Sequence, residues 1–144
     1  MNAIAVLAAA VVLVGASAVQ PPKSPPPHVS GTAAAPPPAW ISVGARSAWM
    51  AYSSFCWKTA CVDFIPPAQR PDLPRVAVAR DVTVRFHLGF AARNVGIVMP
   101  SSTKRIALPG GRVIAWRPPA RGVVVLDAKG PGGSASYVVR LVAP

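Results

Sequence analysis

The sequence predicts an all-β protein, an antiparallel immunoglobulin-like β-sandwich of about eight short strands. Three observations support this prediction. Apolar and polar residues alternate along several segments after residue 40, and Pro and Gly separate these segments every few residues. No window of a dozen residues has helical periodicity free of Pro or Gly. The length, 144 residues, is sufficient for one such domain.

The N-terminal segment, residues 3–19, consists of apolar or small residues without a charge. It contains Ala16, Ser17 and Ala18, the small-residue pattern of a signal-peptidase site. Its 17 residues fall short of the roughly 20 that a membrane-spanning helix needs. We therefore predict a signal peptide over residues 1–18 and an exported protein, secreted or associated with the cell envelope. Because basic residues are missing before the apolar run, two alternatives stay open: a retained membrane anchor, or neither.

The next segment, residues 19–39, holds eight of the chain's 18 prolines and few large apolar residues. Such a composition favours an extended, semi-stiff chain without a core. We predict a disordered linker here and a β-sandwich domain over residues 40–144.

Within that domain, two segments alternate most clearly. In residues 82–88, Thr83, Arg85 and His87 separate four apolar side chains, and in residues 136–142 Arg140 lies on the mixed side. Each pattern predicts a strand with one dry face. Three further apolar runs predict strands over residues 94–99, 113–116 and 122–128.

The only two cysteines, Cys56 and Cys61, flank the four residues 57–60. If the flanking residues form a hairpin, Cys56 lies opposite Cys61 and Phe55 lies opposite Val62. Alternation then places both cysteines on the outer face, where a close non-hydrogen-bonded pair permits a disulfide. We predict this bridge as a structural feature of an exported protein.

Two alternatives to the bridge are free thiols and a metal or redox site. A redox motif would have the spacing C-x-x-C, whereas here four residues separate the cysteines. Structural zinc needs four ligands, and the predicted domain adds only His87 to the two cysteines.

The segments FCWKTACVD, residues 55–63, and GSASYVVRLV, residues 133–142, carry a resemblance. They resemble small exported bacterial β-sandwich proteins of unknown function with a Cys-Trp…Cys-Val-Asp hairpin. The resemblance covers residues 40–144. It implies the fold and export, and no mechanism, because that group has no established activity.

The charge is one-sided, with 15 Lys and Arg against 4 Asp, a net charge of +11. Such a charge attracts anionic partners. Arg85 and Arg140, on polar sides of predicted strands, are the candidate polyanion-binding residues, and the expected partners are anionic envelope polymers. We expect no specific nucleic acid, and a membrane only if the N-terminal segment is retained. The alternative is a structural or inhibitor-like, protein-binding domain whose charge is incidental.

Motifs for catalysis are missing from the sequence, which predicts a protein without enzymatic activity or cofactors. There is no G-x-S-x-G elbow, phosphate-binding G-x-x-x-x-G-K or calcium loop. His87 is the only histidine of the predicted domain. A last hypothesis is a sugar-stacking surface, with core packing as the commoner role of such residues, formed by Trp40, Trp49, Trp57 and Trp116.

Overall fold

The computed structural model describes residues 18–144. The predicted signal peptide lies outside these residues except for Ala18, so its cleavage stays a prediction. Over the described range, no helix has both the length and the apolar character needed to cross a membrane.

Within residues 18–144, eleven strands and one turn of 3₁₀ helix follow each other. The strands are β1 Trp40–Val43, β2 Arg46–Trp49, β3 Ala51–Trp57, β4 Ala60–Val62, β5 Arg75–Ala77, β6 Val84–Ala92, β7 Asn94–Val98, β8 Arg105–Leu108, β9 Gly111–Trp116, β10 Gly122–Gly130 and β11 Gly133–Val142. The 3₁₀ turn, Pro67–Gln69, lies in the crossover from β4 to β5.

The strands form two sheets. The smaller sheet has the order β2-β1-β6-β9, and the larger sheet has the order β4-β3-β11-β10-β7-β8. Pairing is antiparallel except where β5 runs parallel to the second half of β11. The predicted all-β sandwich is confirmed. The strands outnumber the predicted eight because short segments such as β2, β4 and β5 pair along sheet edges without a long apolar run.

The core lies between the two sheets and follows from the alternation in the sequence. Val84 and Phe86 of β6 in the smaller sheet share one core cluster with Leu126 of β10 and Tyr137 of β11 in the larger sheet, and all four are fully buried. The alternation of β6 continues to Ala92, so that this strand presents one buried row over its whole length. Burial of these side chains is the main stabilising contribution, about 1.5–3 kcal/mol for each large one.

Part of the predicted linker packs on the sandwich. Pro36 and Ala39 are fully buried, although composition alone suggested a segment without core residues. Buried tyrosine hydroxyls need acceptors, and prolines in an extended segment offer free carbonyls. The Tyr52 hydroxyl donates to the Pro36 carbonyl at 2.6 Å, and the Tyr137 hydroxyl donates to the Pro37 carbonyl at 2.7 Å. We call residues 35–39 the proline strap.

Candidate functional site

The β3–β4 hairpin carries the disulfide. Cys56 pairs with Cys61 in the register, with 4.1 Å between the Cα atoms, and the two sulfurs are bonded. Both cysteines are exposed, and Phe55 lies opposite Val62 as predicted. The predicted structural bridge is confirmed. The disulfide lies on the exposed surface of the hairpin, and this position supports a role in stability.

Beyond this pair, the predicted hairpin register ends early. The same alternation predicts that Phe64, two residues after Val62, lies on the dry face, but β4 ends at Val62 and the Phe64 side chain is exposed. There the chain leaves the sheet for the crossover, and the Arg70 guanidinium lies 5.3 Å from the centre of the Phe64 ring. Arg70 is nearly buried and donates to the Tyr52 carbonyl at 2.6 Å, which fastens the crossover to β3.

The two candidate polyanion-binding arginines lie on different sheets. Arg85 is exposed on β6 of the smaller sheet, opposite Ser42 of β1. Arg140 is half-buried on β11 of the larger sheet, next to Arg75 in the register. They therefore form no common patch, because two packed sheets separate them.

Three other cations converge on one cleft of about 600 Å³ at one end of the sandwich. They are Lys58 in the β3–β4 turn, Arg93 after the end of β6, and Arg112 in β9. All three are exposed. No carboxylate lines the cleft among the residues that the structure describes, and we call this site the cationic cleft.

Backbone hydrogen bonds between turns hold the cationic cleft in shape. The Lys58 amide donates to the Gly132 carbonyl at 2.6 Å and thereby joins the β3–β4 turn to the β10–β11 turn. The Arg93 amide donates to the Lys129 carbonyl at 2.8 Å. A Cβ at position 132 would lie 2.3 Å from the Trp57 ring, so only glycine lets this turn close over the buried tryptophan.

The arginine side chains are positioned by carbonyls. Arg93 Nη2 donates to the Gly130 carbonyl at 3.4 Å, and Arg112 Nη1 donates to the Gly89 carbonyl at 3.2 Å. A guanidinium has five N–H donors. Each group is thus held by one bond while most of its donors remain available to an anion.

A second cleft, of about 550 Å³, lies at the other end of the sandwich. Arg80 and Arg121 line it together with Asp81, so one carboxylate offsets part of the positive charge. Arg121 Nε donates to the Val78 carbonyl at 2.9 Å. We call this site the mixed cleft. It is the weaker candidate for an anion because two cations share it with an acid.

Few of the fifteen cations are neutralised by ion pairs. Across residues 18–144, carboxylates pair only with Arg70, through Asp72 at 3.4 Å, and with Arg105, through Asp127. Asp127 also accepts a hydrogen bond from the Ser136 hydroxyl at 2.5 Å. Since the sequence has only four acids, most of the positive charge faces solvent.

The outer face of the smaller sheet holds His87. Its ring stacks on Trp40 with 3.6 Å between ring centres, and its Nε2 lies 2.8 Å from the Ser42 hydroxyl oxygen. Burial, and secondarily the positive charge of Arg85, lower the pKa of His87 below its usual value. The imidazole is therefore neutral at pH 7. Ser42 itself is buried.

The four tryptophans do not form one surface. Trp57 and Trp116 are buried in the core, while Trp40 and Trp49 are half-buried on the smaller sheet. One face of the Trp40 ring is covered by the stacked His87 ring. A shared sugar-stacking platform is excluded by this arrangement, and core packing accounts for two of the four.

The comparisons with protein families, curated proteins and solved structures found no match for this chain. The resemblance to small exported β-sandwich proteins therefore stays a prediction. No cluster of three or more potential metal ligands occurs within the described part of the chain.

Sequence reasoning missed the cationic cleft. Its cations lie at positions 58, 93 and 112, far apart in the chain and at strand ends or turns. The one local signal was the Gly130–Gly133 turn, whose glycines permit close packing around Trp57. That signal predicts a hairpin and carries no information about which side chains meet beside it.

Proposed function

We propose that the protein is a non-enzymatic exported module that binds anionic polymers of the cell envelope, and that the cationic cleft is its main contact. The observation that carries this proposal is the convergence of Lys58, Arg93 and Arg112 on one concave site without a lining carboxylate. The other exposed cations add a long-range field that attracts polyanions from any side.

The chemistry of the three side chains suits this role. Arginine offers a planar fork that meets a carboxylate, sulfate or phosphate with two parallel hydrogen bonds, and lysine adds a mobile point charge. Each cation that neutralises an anionic group of a polymer releases a counterion, so binding weakens steeply with salt. Concave walls that exclude some water strengthen these contacts relative to a flat surface.

The disulfide is compatible with the predicted export. Disulfides persist in oxidising compartments outside the cytosol, and the Cys56–Cys61 bridge lies in the hairpin that presents Lys58. An exported basic protein meets anionic polymers at the cell envelope. These two points support envelope association as the setting of the proposed activity.

The test compares two sets of substitutions on a heparin column and in salt-dependent binding titrations. Lys58→Ala, Arg93→Ala and Arg112→Ala together should lower affinity at least tenfold and reduce the salt slope by about two to three. Arg85→Ala with Arg140→Ala is the control, since these arginines lie on opposite sheets. It should lower affinity only a few-fold, by weakening the general field.

Equal losses in the two sets would contradict a defined cleft and leave only a diffuse charge effect. A wild-type protein that the heparin column does not retain at low salt would contradict the proposal altogether. That result would favour the alternative, a structural or protein-binding domain. The exposed, adjacent side chains of Phe64 and Ile65 support this alternative, because exposed apolar residues can contact a protein partner.

A further inference from the structure

The cationic cleft has an apolar wall between its cations. Ala35 and Pro37 of the proline strap form one part of this wall, and Ala91 and Pro131 form the rest, while the buried Trp57 and Phe90 also line the cleft. A site built only for point charges needs no such surface. A site for a ligand with both charged and apolar faces needs both.

The strap part of the wall is held in place by specific contacts. The Tyr137 hydroxyl binds the Pro37 carbonyl at 2.7 Å, and the neighbouring Pro36 is fully buried. Pro37 also lies directly against β6, because Gly89 has no side chain. A Cβ at position 89 would lie 2.4 Å from Pro37 Cβ, too close for both to keep their places.

The aromatic residues beside the cleft disfavour nucleic acid as the occupant. Single-stranded bases bind by stacking on exposed aromatic faces. Trp57 and Phe90 are both about 95% buried, and they pack against each other with 5.0 Å between ring centres. Their faces are therefore engaged in the core, and the wall offers aliphatic surface from alanine and proline instead.

We propose, building on the proposed function, that the cationic cleft recognises anionic sugar residues of a polysaccharide. The carboxylate or sulfate groups bind Lys58, Arg93 and Arg112, and the C–H face of the sugar ring packs on Ala35 and Pro37. The cleft volume of about 600 Å³ accommodates such a unit. A polyphosphate satisfies the cations but leaves the apolar wall in water.

The experiment titrates the full exported protein with an oligogalacturonate and with a linear polyphosphate of the same charge number. At low salt both should bind. At about 0.5 M salt, where charges are strongly screened, the oligogalacturonate should bind at least tenfold more tightly, since the apolar contact persists. Equal affinities at high salt, or tighter binding of the polyphosphate, would overturn the sugar assignment.

Pro37→Ala tests the wall without adding bulk or removing the carbonyl that Tyr137 binds. It should lower oligogalacturonate affinity at high salt several-fold and leave polyphosphate affinity unchanged. Pro119→Ala, the same substitution in the mixed cleft, is the matched control and should alter neither. Gly89→Ala, which displaces Pro37, should reproduce the Pro37→Ala result with the β-sheet spectrum retained.

The outcomes separate the two levels of the proposal. If the triple substitution of Lys58, Arg93 and Arg112 abolishes binding of both ligands but Pro37→Ala changes nothing, the sugar assignment fails and the proposed function stands. If the triple substitution changes neither ligand, the proposed function fails. Displacement of the oligogalacturonate by anionic phospholipid vesicles at lower anion concentration would overturn the sugar assignment and favour a lipid headgroup.

Discussion

The cationic cleft and the mixed cleft lie at opposite ends of the same strand. Strand β6 begins three residues after Asp81 and ends one residue before Arg93. The two clefts have similar volumes and both contain arginines held by backbone carbonyls. Two features distinguish them. The mixed cleft is lined by the carboxylate of Asp81, whereas the cationic cleft is lined by residues of the proline strap.

Under the proposed function, total charge is a poor guide to where an anion binds. The net charge of +11 is spread over both sheets and both ends. The proposed binding site lies where three cations converge without an acid and beside an apolar wall. Both conditions are set by loops and turns, which the tertiary structure brings together.

The largest expected effect concerns the proline strap, which only the cationic cleft has. At alkaline pH, ionisation of the tyrosines that bind the strap should lower the free energy of unfolding. Burial raises the pKa of Tyr52 to about 12, and burial with the nearby Tyr52 raises the pKa of Tyr137. Because both pKa values are higher in the folded protein, their stabilising contribution is complete below pH 10. For Tyr52 it is lost as the pH rises from about 10 to about 12, with a free-energy change of about 2–3 kcal/mol, and for Tyr137 the loss continues at higher pH.

Urea unfolding from pH 8 to pH 11.5 measures this change. Tyr52→Phe should flatten the alkaline decrease, because phenylalanine cannot ionise, while lowering stability at pH 8 by about 1 kcal/mol for the lost hydrogen bond. An alkaline decrease that is unchanged in Tyr52→Phe would show that ionisation of the buried Tyr52 hydroxyl is not its origin.

The disulfide should matter at the cationic end and not at the mixed end. Cys56→Ser with Cys61→Ser should lower the free energy of unfolding by about 2 kcal/mol, since the bridge closes a short loop. The hairpin that presents Lys58 should loosen, and oligogalacturonate affinity should fall about two- to threefold. Chemical denaturation and titration measure the two effects, with reduced wild-type protein as the control. Complete loss of the β-sheet spectrum would contradict a merely supporting role.

The smallest effect should come from making the mixed cleft more like the cationic cleft. Asp81→Asn removes the carboxylate and keeps a residue that tolerates the positive φ of 59° at this position. Heparin affinity should rise about twofold, as expected for one exposed charge. Asp63→Asn, the same charge change outside both clefts, is the control. Equal gains in both variants would mean that only net charge matters.

The sequence predicted the strands with the clearest alternation and the disulfide. Residues 82–88 and 136–142 lie within or overlap β6 and β11, and Cys56 lies opposite Cys61. These features depend on local spacing, because a period of two fixes which side chains share a face. The short spacing of the cysteines fixes their pairing in the same way. The structure closes the hairpin with a two-residue turn, Lys58 and Thr59, where the sequence predicted a loop of four residues.

The proline strap packs on the domain, whereas its composition suggested a segment without core residues. Prolines cannot extend a sheet ladder, so residues 19–39 suggested a linker, yet their carbonyls are suitable acceptors for buried hydroxyls. Tyr52 and Tyr137 provide those hydroxyls from β3 and β11. The contact depends on two strands that are distant in sequence, and no local pattern reveals it.

The sequence by itself determined an all-β fold, a stapled hairpin and a strongly basic chain, because alternation, cysteine spacing and charge count are properties of neighbouring residues or of simple sums. Only the tertiary structure placed Arg85 and Arg140 on separate sheets and brought Lys58, Arg93 and Arg112 to one cleft. The physical reason is that turns at one end of a sandwich meet through strand order and length. These depend on pairings between residues far apart in the chain.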